Sequence, residues 1–134
     1  MNECIFCKII AGELPAHKVY EDDLVVAILD IQHWTKGHTL IMPKLHYANM
    51  LEIPDELLAK ISVLAKDLAL NYKPVLGADG FNVVNNTNEV GGQEVMHYHM
   101  HLIPRYEGHK FKLVVQHKDQ DVDLDDVAAT LRGD

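Results

Sequence analysis

The spacing of apolar residues predicts one main helix in the middle of the chain. After Pro54, apolar residues recur at steps of three and four positions, which places them on one helical face. Asp55 and Glu56 suit the positive end of such a helix, and Pro74 is expected to end it near Tyr72. The residues of the apolar face are Leu57, Leu58, Ile61, Leu64, Ala65, Leu68 and Ala69.

Short apolar runs bounded by turn residues predict five strands. Asp22 and Asp23 separate the first two runs and are typical of a hairpin turn. Strands that precede and follow one helix, without regular alternation of strand and helix, favour an α+β fold with a largely antiparallel sheet. The predicted strands cover residues 17–21, 24–30, 38–42, 81–84 and 97–105.

The pattern of apolar and polar residues predicts secondary structure less clearly towards the C-terminus. Residues 110–118 are compatible with another strand, and residues 124–131 with a short helix whose N-cap is Asp123. We expect residues 1–110 to form one domain, and residues 111–134 to form an extension that packs on that domain or on a dimer partner.

Composition and charge narrow the class of protein. The chain has 134 residues, 48% of them hydrophobic, which is enough for one domain with a buried core. Its net charge of −8 argues against binding to nucleic acid or to a membrane surface, but allows a small anionic ligand. The first residues lack the features of a signal peptide, and no apolar run approaches the roughly 18 residues of a membrane helix. We therefore expect a cytoplasmic protein.

The two cysteines, Cys4 and Cys7, are separated by two residues. In a chain that we expect to be cytoplasmic, this spacing predicts a metal half-site or a redox pair rather than a structural disulfide. A zinc ion held by such a pair needs two further ligands to complete a tetrahedral shell.

Three histidines alternate with apolar residues in the last predicted strand. His97, His99 and His101 share one face of that strand, while Tyr98 and Met100 face the core. Desolvated imidazoles each need a partner, so this pattern favours a functional site over surface histidines. Such a face can bind zinc. It can also present a neutral imidazole as a nucleophile beside a group that stabilises an anion.

The residues just before the histidines point to a phosphate. Gly91 and Gly92 allow a ligand to approach the backbone closely and offer N–H groups to an anion. Gln93 adds a side chain with both a donor and an acceptor. Glycines leading into three histidines on one face are better explained by a phosphate than by a lone metal.

The stretch from Gly91 to Arg105 resembles the signature of the histidine triad (HIT) superfamily, in which Gly-Gln precedes the alternating histidines and Pro-Arg follows them. The resemblance covers about the first 105 residues and implies a HIT-like fold: an antiparallel five-stranded sheet with one main helix, paired as a symmetric homodimer. The segments that resemble the Hint branch and its bacterial relatives, in the same order, are residues 4–23, 27–31, 37–46 and 80–86.

The resemblance implies hydrolysis of nucleotides modified at the α-phosphate, such as nucleoside phosphoramidates. His99 would attack phosphorus and form a nucleotidyl-histidine, and His101 would bond the α-phosphate or the leaving group. Gln93 would contact the same region, and His97 would complete the catalytic set. The alternative is a regulatory module that binds a purine nucleotide with little turnover.

The resemblance also implies the binding residues. Asp30 would receive the ribose hydroxyls, Asn86 would bond phosphate with Asn85 as a weaker candidate, and His38 would orient the first triad histidine. Apolar residues would form a slot for the base. The implied substrate-binding set is Phe6, Leu14, Ile28, Asp30, Ile31, Asn86, Gly92, Gln93, His99 and His101.

A subset of bacterial family members implies a zinc site. In these members the Cys-x-x-Cys pair acts with two histidines, which here are His46 and His97. The matching set, Cys4, Cys7, His46 and His97, implies a closed Cys2His2 zinc that braces the site without catalysing the reaction. The alternative is two surface thiols.

Glu94 departs from the family pattern. Many members carry Ser or Thr directly after Gly-Gln, where a hydroxyl reaches the leaving group. A carboxylate at this position would repel an anionic leaving group or act as an acid, unless it turns out to solvent.

Overall fold

The computed structural model describes residues 3–110 and 119–134, so the strand predicted over residues 110–118 lies, apart from Lys110, outside the described residues. The elements in chain order are α1 (Ile5–Ile10), β1 (Lys18–Glu21), β2 (Val25–Leu29), β3 (Thr39–Pro43), α2 (Asp55–Leu76), β4 (Gly80–Val84), a 3-10 turn (Glu89–Gly91), β5 (Met100–Arg105) and α3 (Leu124–Arg132). The strands form one antiparallel sheet in the order β1-β2-β3-β5-β4. The predicted α+β fold, with a five-stranded antiparallel sheet and one main helix, is confirmed.

Alternation along the strands gives the sheet two apolar faces. On one face, Ile41 and Leu102 pack with Ile61 of α2, and all three are almost fully buried. On the other face, Leu40 and Met42 pack with residues of the short helix α1. One small core therefore lies on each face of the sheet. Because α1 is much shorter than α2, it covers less of its face of the sheet and leaves room there for a site.

The last strand begins three residues further along the chain than the sequence predicts. β5 begins at Met100, so only His101 of the three histidines lies within the strand, between β3 and β4. Tyr98 donates its backbone N–H to the carbonyl of Tyr47 at 2.7 Å instead of to a neighbouring strand. The alternation continues through this segment, however, because Tyr98 is buried in the α2 core while His97 contacts α1.

Helix α2 continues past the end that Pro74 predicts. The expectation that it stops near Tyr72 is wrong, because the helix includes Pro74 and ends at Leu76. Proline removes one backbone donor, but here it lies in the last turn. Gly77, in the left-handed conformation that glycine adopts easily, closes the helix by donating its N–H to the carbonyl of Lys73 at 2.9 Å. The backbone hydrogen bond that Pro74 cannot make is thus missing only from the last turn, directly before the cap at Gly77.

The terminal helix forms where the sequence predicts it. Asp123 caps α3 by accepting hydrogen bonds from the N–H groups of Asp125 and Asp126. No residue of α3 is buried, and the packing of the C-terminal extension stays a prediction. Within the described ranges, no helix combines the length and apolar character needed to cross a bilayer.

Candidate active site and metal centre

A cavity of about 600 Å³ opens on the α1 side of the sheet. Its walls come from α1, the end of β2, the loop between β4 and β5, and β5 itself. This volume is typical of sites for small ligands. The cavity brings together every predicted substrate-binding residue except Gln93: Phe6, Leu14, Ile28, Asp30, Ile31, Asn86, Gly92, His99 and His101.

One wall of the cavity is apolar and open at its rim. Phe6 and Ile28 are buried, whereas Ile31 is 81% exposed. Trp34 also lines the cavity and is 68% exposed. It is not among the binding residues predicted from the sequence. Exposed apolar side chains beside a concave site are typical of ligand contact. The signal for Trp34 was a large aromatic residue in the polar segment between two predicted strands.

His99 is held in one tautomer. Its Nδ1 lies 2.8 Å from the backbone carbonyl of His97. A carbonyl only accepts, so Nδ1 carries the hydrogen and the Nε2 lone pair is free. Burial lowers the pKa of His99 below its usual value, although the Asp30 and Glu94 charges act in the opposite direction. A neutral imidazole with a free nitrogen is a competent nucleophile.

A chain of hydrogen bonds sets the opposite tautomer at His101. The backbone N–H of Trp34 donates to His38 Nδ1 at 3.0 Å, so neutral His38 carries its hydrogen on Nε2. His38 Nε2 in turn lies 2.9 Å from His101 Nδ1 and donates to it. His101 Nδ1 is therefore an acceptor, and His101 carries its own hydrogen on Nε2. Burial, followed by the neighbouring imidazoles, lowers the pKa of His101 to about 4.

This chain corrects the expectation for His38. The expectation that His38 orients the first triad histidine, His97, is wrong because His38 bonds His101. The register of the sheet explains the difference: His38 directly precedes β3, and β3 pairs with β5 from Met100 onwards, beyond His97. Asp30 Oδ2 lies 3.6 Å from His38 Nε2 at the same edge of the cavity.

His97 faces the two cysteines rather than the cavity. It is fully buried, and its Nε2 donates to the carbonyl of Pro43 at 2.9 Å. Its unprotonated Nδ1 lies 3.4 Å from Cys4 Sγ and 3.5 Å from Cys7 Sγ. Burial lowers the pKa of His97 to about 4, so the ring is neutral and Nδ1 is free to act as a ligand.

The four predicted metal ligands form one cluster. The nearest ring nitrogen of His46 is 3.3 Å from Cys7 Sγ, and the four donor atoms of Cys4, Cys7, His46 and His97 all lie within 4.8 Å of one another. Zinc bonds of about 2.3 Å to sulfur and 2.0 Å to nitrogen place tetrahedral S and N ligands roughly 3.5 Å apart. The S–N separations of this cluster fit that geometry.

The same cysteines anchor the cavity wall. Cys4 is the N-cap of α1 and accepts a hydrogen bond from the N–H of Cys7 at 3.2 Å. Burial, together with the hydrogen bond and charge of Cys4, raises the pKa of Cys7 to about 11, so a bound cation is needed to keep the Cys7 thiol ionised at neutral pH. Phe6 lies between the two cysteines and contacts the ring of His99 at a centroid distance of 5.0 Å. A metal in this cluster would therefore also fix the position of Phe6.

Gln93 lies in the interior of the β4–β5 loop. It is 4% exposed, and its Oε1 accepts from the N–H of Asn88 at 2.8 Å. Its Nε2 donates to the carbonyls of Ala48 and Val95 at 2.6 and 2.9 Å. Direct contact of Gln93 with a substrate would require these bonds to be given up, whereas in this structure they hold the loop in place.

The two asparagines before this loop have different surroundings. Asn85 donates from Nδ2 to the carbonyl of His99 at 3.0 Å and so holds the backbone of the histidine segment. Asn86 lines the cavity, next to Gly92. Gly92 has a φ of +96°, a conformation that favours glycine. Asn86 is thus the asparagine that is available to a ligand.

Comparison with known proteins shows the family of this chain. The family model of the HIT domain matches residues 11–108. An uncharacterized HIT-like protein of Methanocaldococcus jannaschii is 50% identical over 131 residues, covering 97% of this chain and 99% of that protein. The adenosine 5'-monophosphoramidase of Saccharomyces cerevisiae is 43% identical over 122 residues, covering 91% of this chain and 74% of that protein.

A solved structure extends the comparison to the metal. The crystal structure of a zinc-bound histidine triad family protein from Mycobacterium smegmatis superposes with a TM-score of 0.80 and 34% identity, covering 98% of this chain and 92% of that chain. With the family match over most of the chain, the fold and the histidine motif lead to one conclusion: this protein belongs to the HIT family.

Proposed function

We propose that this protein is a nucleotide hydrolase or transferase that cleaves at the α-phosphate of nucleoside phosphoramidates or related nucleotide conjugates. The observation that carries the proposal is the pair of opposite tautomers in the cavity: His99 has a free Nε2, and His101 has a hydrogen on Nε2. The yeast relative, which is named an adenosine 5'-monophosphoramidase, supports the same reaction class.

The proposed reaction has two half-reactions. His99 Nε2 attacks phosphorus, the bond from phosphorus to the leaving nitrogen breaks, and a nucleotidyl-histidine forms. His101 Nε2–H bonds the phosphate or the departing group, where charge develops. Water then cleaves the bond between phosphorus and His99. The amine takes a proton from solvent as its bond to phosphorus breaks. The water that cleaves the intermediate places its hydroxyl group on phosphorus and returns one proton to solvent, so one water is consumed overall.

The apolar wall and Asp30 would hold the nucleoside. Phe6, Leu14, Ile28 and Ile31 form a slot for a purine base, and the Asp30 carboxylate accepts the ribose hydroxyls at the end of β2. Asn86 and the N–H of Gly92 would bond the phosphate. We assign Gln93 and His97 to the catalytic set as positioning residues, because Gln93 holds the loop and the His97 carbonyl fixes the His99 tautomer.

We predict that replacing His99 abolishes the intermediate. Adenosine 5'-phosphoramidate labelled at the phosphorus should label the wild-type protein transiently, whereas His99→Ala should show no label and a kcat/KM at least about 10³-fold lower. His17→Ala, a substitution of an exposed histidine outside the cavity, should behave like the wild type. Rapid acid quench and scintillation counting measure both quantities.

Two results would contradict the proposed reaction. Full activity of His99→Ala would exclude the nucleotidyl-histidine. If calorimetry detects binding of a purine mononucleotide but no phosphoramidate or acyl-nucleotide is turned over, the protein is the alternative, a nucleotide-binding regulatory module.

We further propose that Cys4, Cys7, His46 and His97 hold one structural Zn²⁺. The geometric fit of the cluster and the zinc-bound relative support this. Four protein ligands leave no open position for catalytic water, so the ion would brace α1 against the histidine segment. The chain's own residues would carry out the chemistry.

We predict about one zinc per chain, as expected for one four-ligand site. Cys7→Ala and His46→Ala should each lose the metal and lower the melting temperature, because metal binding contributes to folding. His17→Ala should keep it. Elemental analysis and thermal denaturation measure these effects. Well under one zinc per wild-type chain, together with full activity, would contradict the proposal.

We also propose a symmetric homodimer that joins the β4 edges of two sheets. Strand β4 is one edge of the sheet, and an unpaired edge is a ready site for pairing with a second copy. An apolar groove between α2 and β4 continues this edge, with Ala65, Ala69, Phe81 and Val83 in its lining. The C-terminal extension over residues 111–134 would pack on its own domain or on the partner.

We predict that sedimentation gives a species of twice the chain mass. Val83→Arg, which places a charge on the exposed β4 edge, should shift the protein towards the monomer because an unpaired charge in an interface is costly. The matched substitution Val19→Arg, on the opposite edge strand β1, should leave the dimer intact. A wild-type protein that sediments as one chain would contradict the proposal.

A further inference from the structure

The cavity is acidic, although the proposed substrate is an anion. Among the described residues, Asp30 and Glu94 are the only Asp, Glu, Lys or Arg side chains that line it. Burial lowers the pKa of His101 to about 4, so this residue adds no fixed positive charge at neutral pH. Phosphate sites usually gather cations, so two carboxylates need an explanation.

Asp30 has polar partners, whereas the Glu94 carboxylate has none among the described residues. Asp30 accepts a hydrogen bond from the N–H of Gln32 at 2.8 Å and lies near His38. Within residues 3–110 and 119–134, no hydrogen bond or ion pair involves the Glu94 carboxylate, and Glu94 is exposed at the cavity rim. The negative charge of Glu94 is therefore not neutralised by the described part of the protein, and it is available to a ligand.

The backbone on both sides of Glu94 is held in place. Gln93 is buried and its side chain makes three hydrogen bonds to the backbone, and Val95 packs on the core that contains Phe6. Although the side chain is exposed, its point of attachment is fixed at the rim. Glu94 and His99 line the same cavity. An unpaired carboxylate is thus fixed near the nucleophile.

The position of Glu94 points to the leaving group. The apolar slot and Asp30 occupy the side of the cavity formed by α1 and β2, where the nucleoside would lie. Glu94 belongs to the β4–β5 loop, together with Asn86 and Gly92. With the phosphorus at His99, the part of the substrate beyond the phosphate is the part that the loop would meet.

We propose that Glu94 selects the leaving group by charge, so that the protein favours nucleotide conjugates whose departing amine carries a second, positively charged group. The inference rests on the proposed function. The bonds made and broken do not change: His99 Nε2 bonds phosphorus, the phosphorus–nitrogen bond breaks, and the amine leaves. Glu94 stabilises an ammonium on that amine and repels a carboxylate or a phosphate chain.

The expected effect is moderate because the site is open to water. Two unit charges about 6 Å apart, at an effective dielectric constant of about 40, interact strongly enough to change a rate on the order of tenfold. Added salt should reduce the effect, because exposed charges are screened.

Three matched adenosine 5'-phosphoramidates test the proposal, made from 1,3-diaminopropane, propylamine and β-alanine. Their leaving groups carry an ammonium, no charge and a carboxylate. For the wild type, kcat/KM should fall in that order by roughly tenfold at each step. Glu94→Gln should bring the three values within about threefold of one another, and Glu94→Lys should reverse the order. Glu89→Gln removes an exposed carboxylate of the same loop outside the cavity lining and should keep the wild-type ratios.

The result that would overturn the proposal is a Glu94→Gln variant with wild-type ratios of kcat/KM among the three conjugates.

Loss of the proposed function gives a different result, in which the wild type turns over none of the three conjugates. Charge selection is then tested by binding, because the single tryptophan of the chain, Trp34, lines the cavity and its fluorescence reports occupancy. A wild-type preference for the ammonium conjugate that disappears in Glu94→Gln supports the proposal. Equal wild-type affinities for the three conjugates overturn it.

Discussion

Hydrogen bonds to buried imidazole rings decide which nitrogen of each histidine is free, and the candidate site depends on that choice. Burial disfavours the charged ring, so each imidazole has one donor and one acceptor. The carbonyl of Pro43 takes the hydrogen of His97 Nε2, and the carbonyl of His97 takes the hydrogen of His99 Nδ1. His38 donates to His101 Nδ1. Three histidines that look equivalent in the sequence thus offer different nitrogen atoms in different directions.

The cluster of Cys4, Cys7, His46 and His97 shares two short segments of the chain with the cavity. His97 belongs to the cluster and His99 to the cavity, with one residue between them. Cys4 and Cys7 belong to the cluster, and Phe6 lines the cavity. The cysteines are therefore connected through α1 and His97 to the wall of the cavity and to the backbone carbonyl that bonds His99. This connection explains how a cluster outside the cavity would influence the chemistry inside it.

Features with a local cause could be predicted from the sequence. The apolar period of α2, the alternation around His99 and the Asp123 cap depend on neighbouring residues. The lining of the cavity followed from the family resemblance, because single apolar residues such as Ile31 look like ordinary core or surface residues in isolation. Helix α2 is longer than Pro74 predicts, because Pro74 lies in its last turn and Gly77 caps the helix after it.

Long-range contacts that neither the local pattern nor the family resemblance specifies could not be predicted. The partner of His38 is set by the pairing of β3 with β5, which brings together residues 63 positions apart. The burial of Gln93 depends on the carbonyl of Ala48, 45 positions away. Glu94 is visible in the sequence, but that its carboxylate has no neutralising partner within residues 3–110 and 119–134 appears only in the folded structure.

The tautomers of the three histidines test the account most directly. Long-range ¹H–¹⁵N spectra of the zinc-loaded, uniformly ¹⁵N-labelled protein at neutral pH distinguish protonated from unprotonated ring nitrogens. The account predicts a hydrogen on Nδ1 of His99, on Nε2 of His101 and on Nε2 of His97. A His99 ring that carries its hydrogen on Nε2, or that is doubly protonated at neutral pH, would contradict it, because no lone pair would then face the substrate phosphorus.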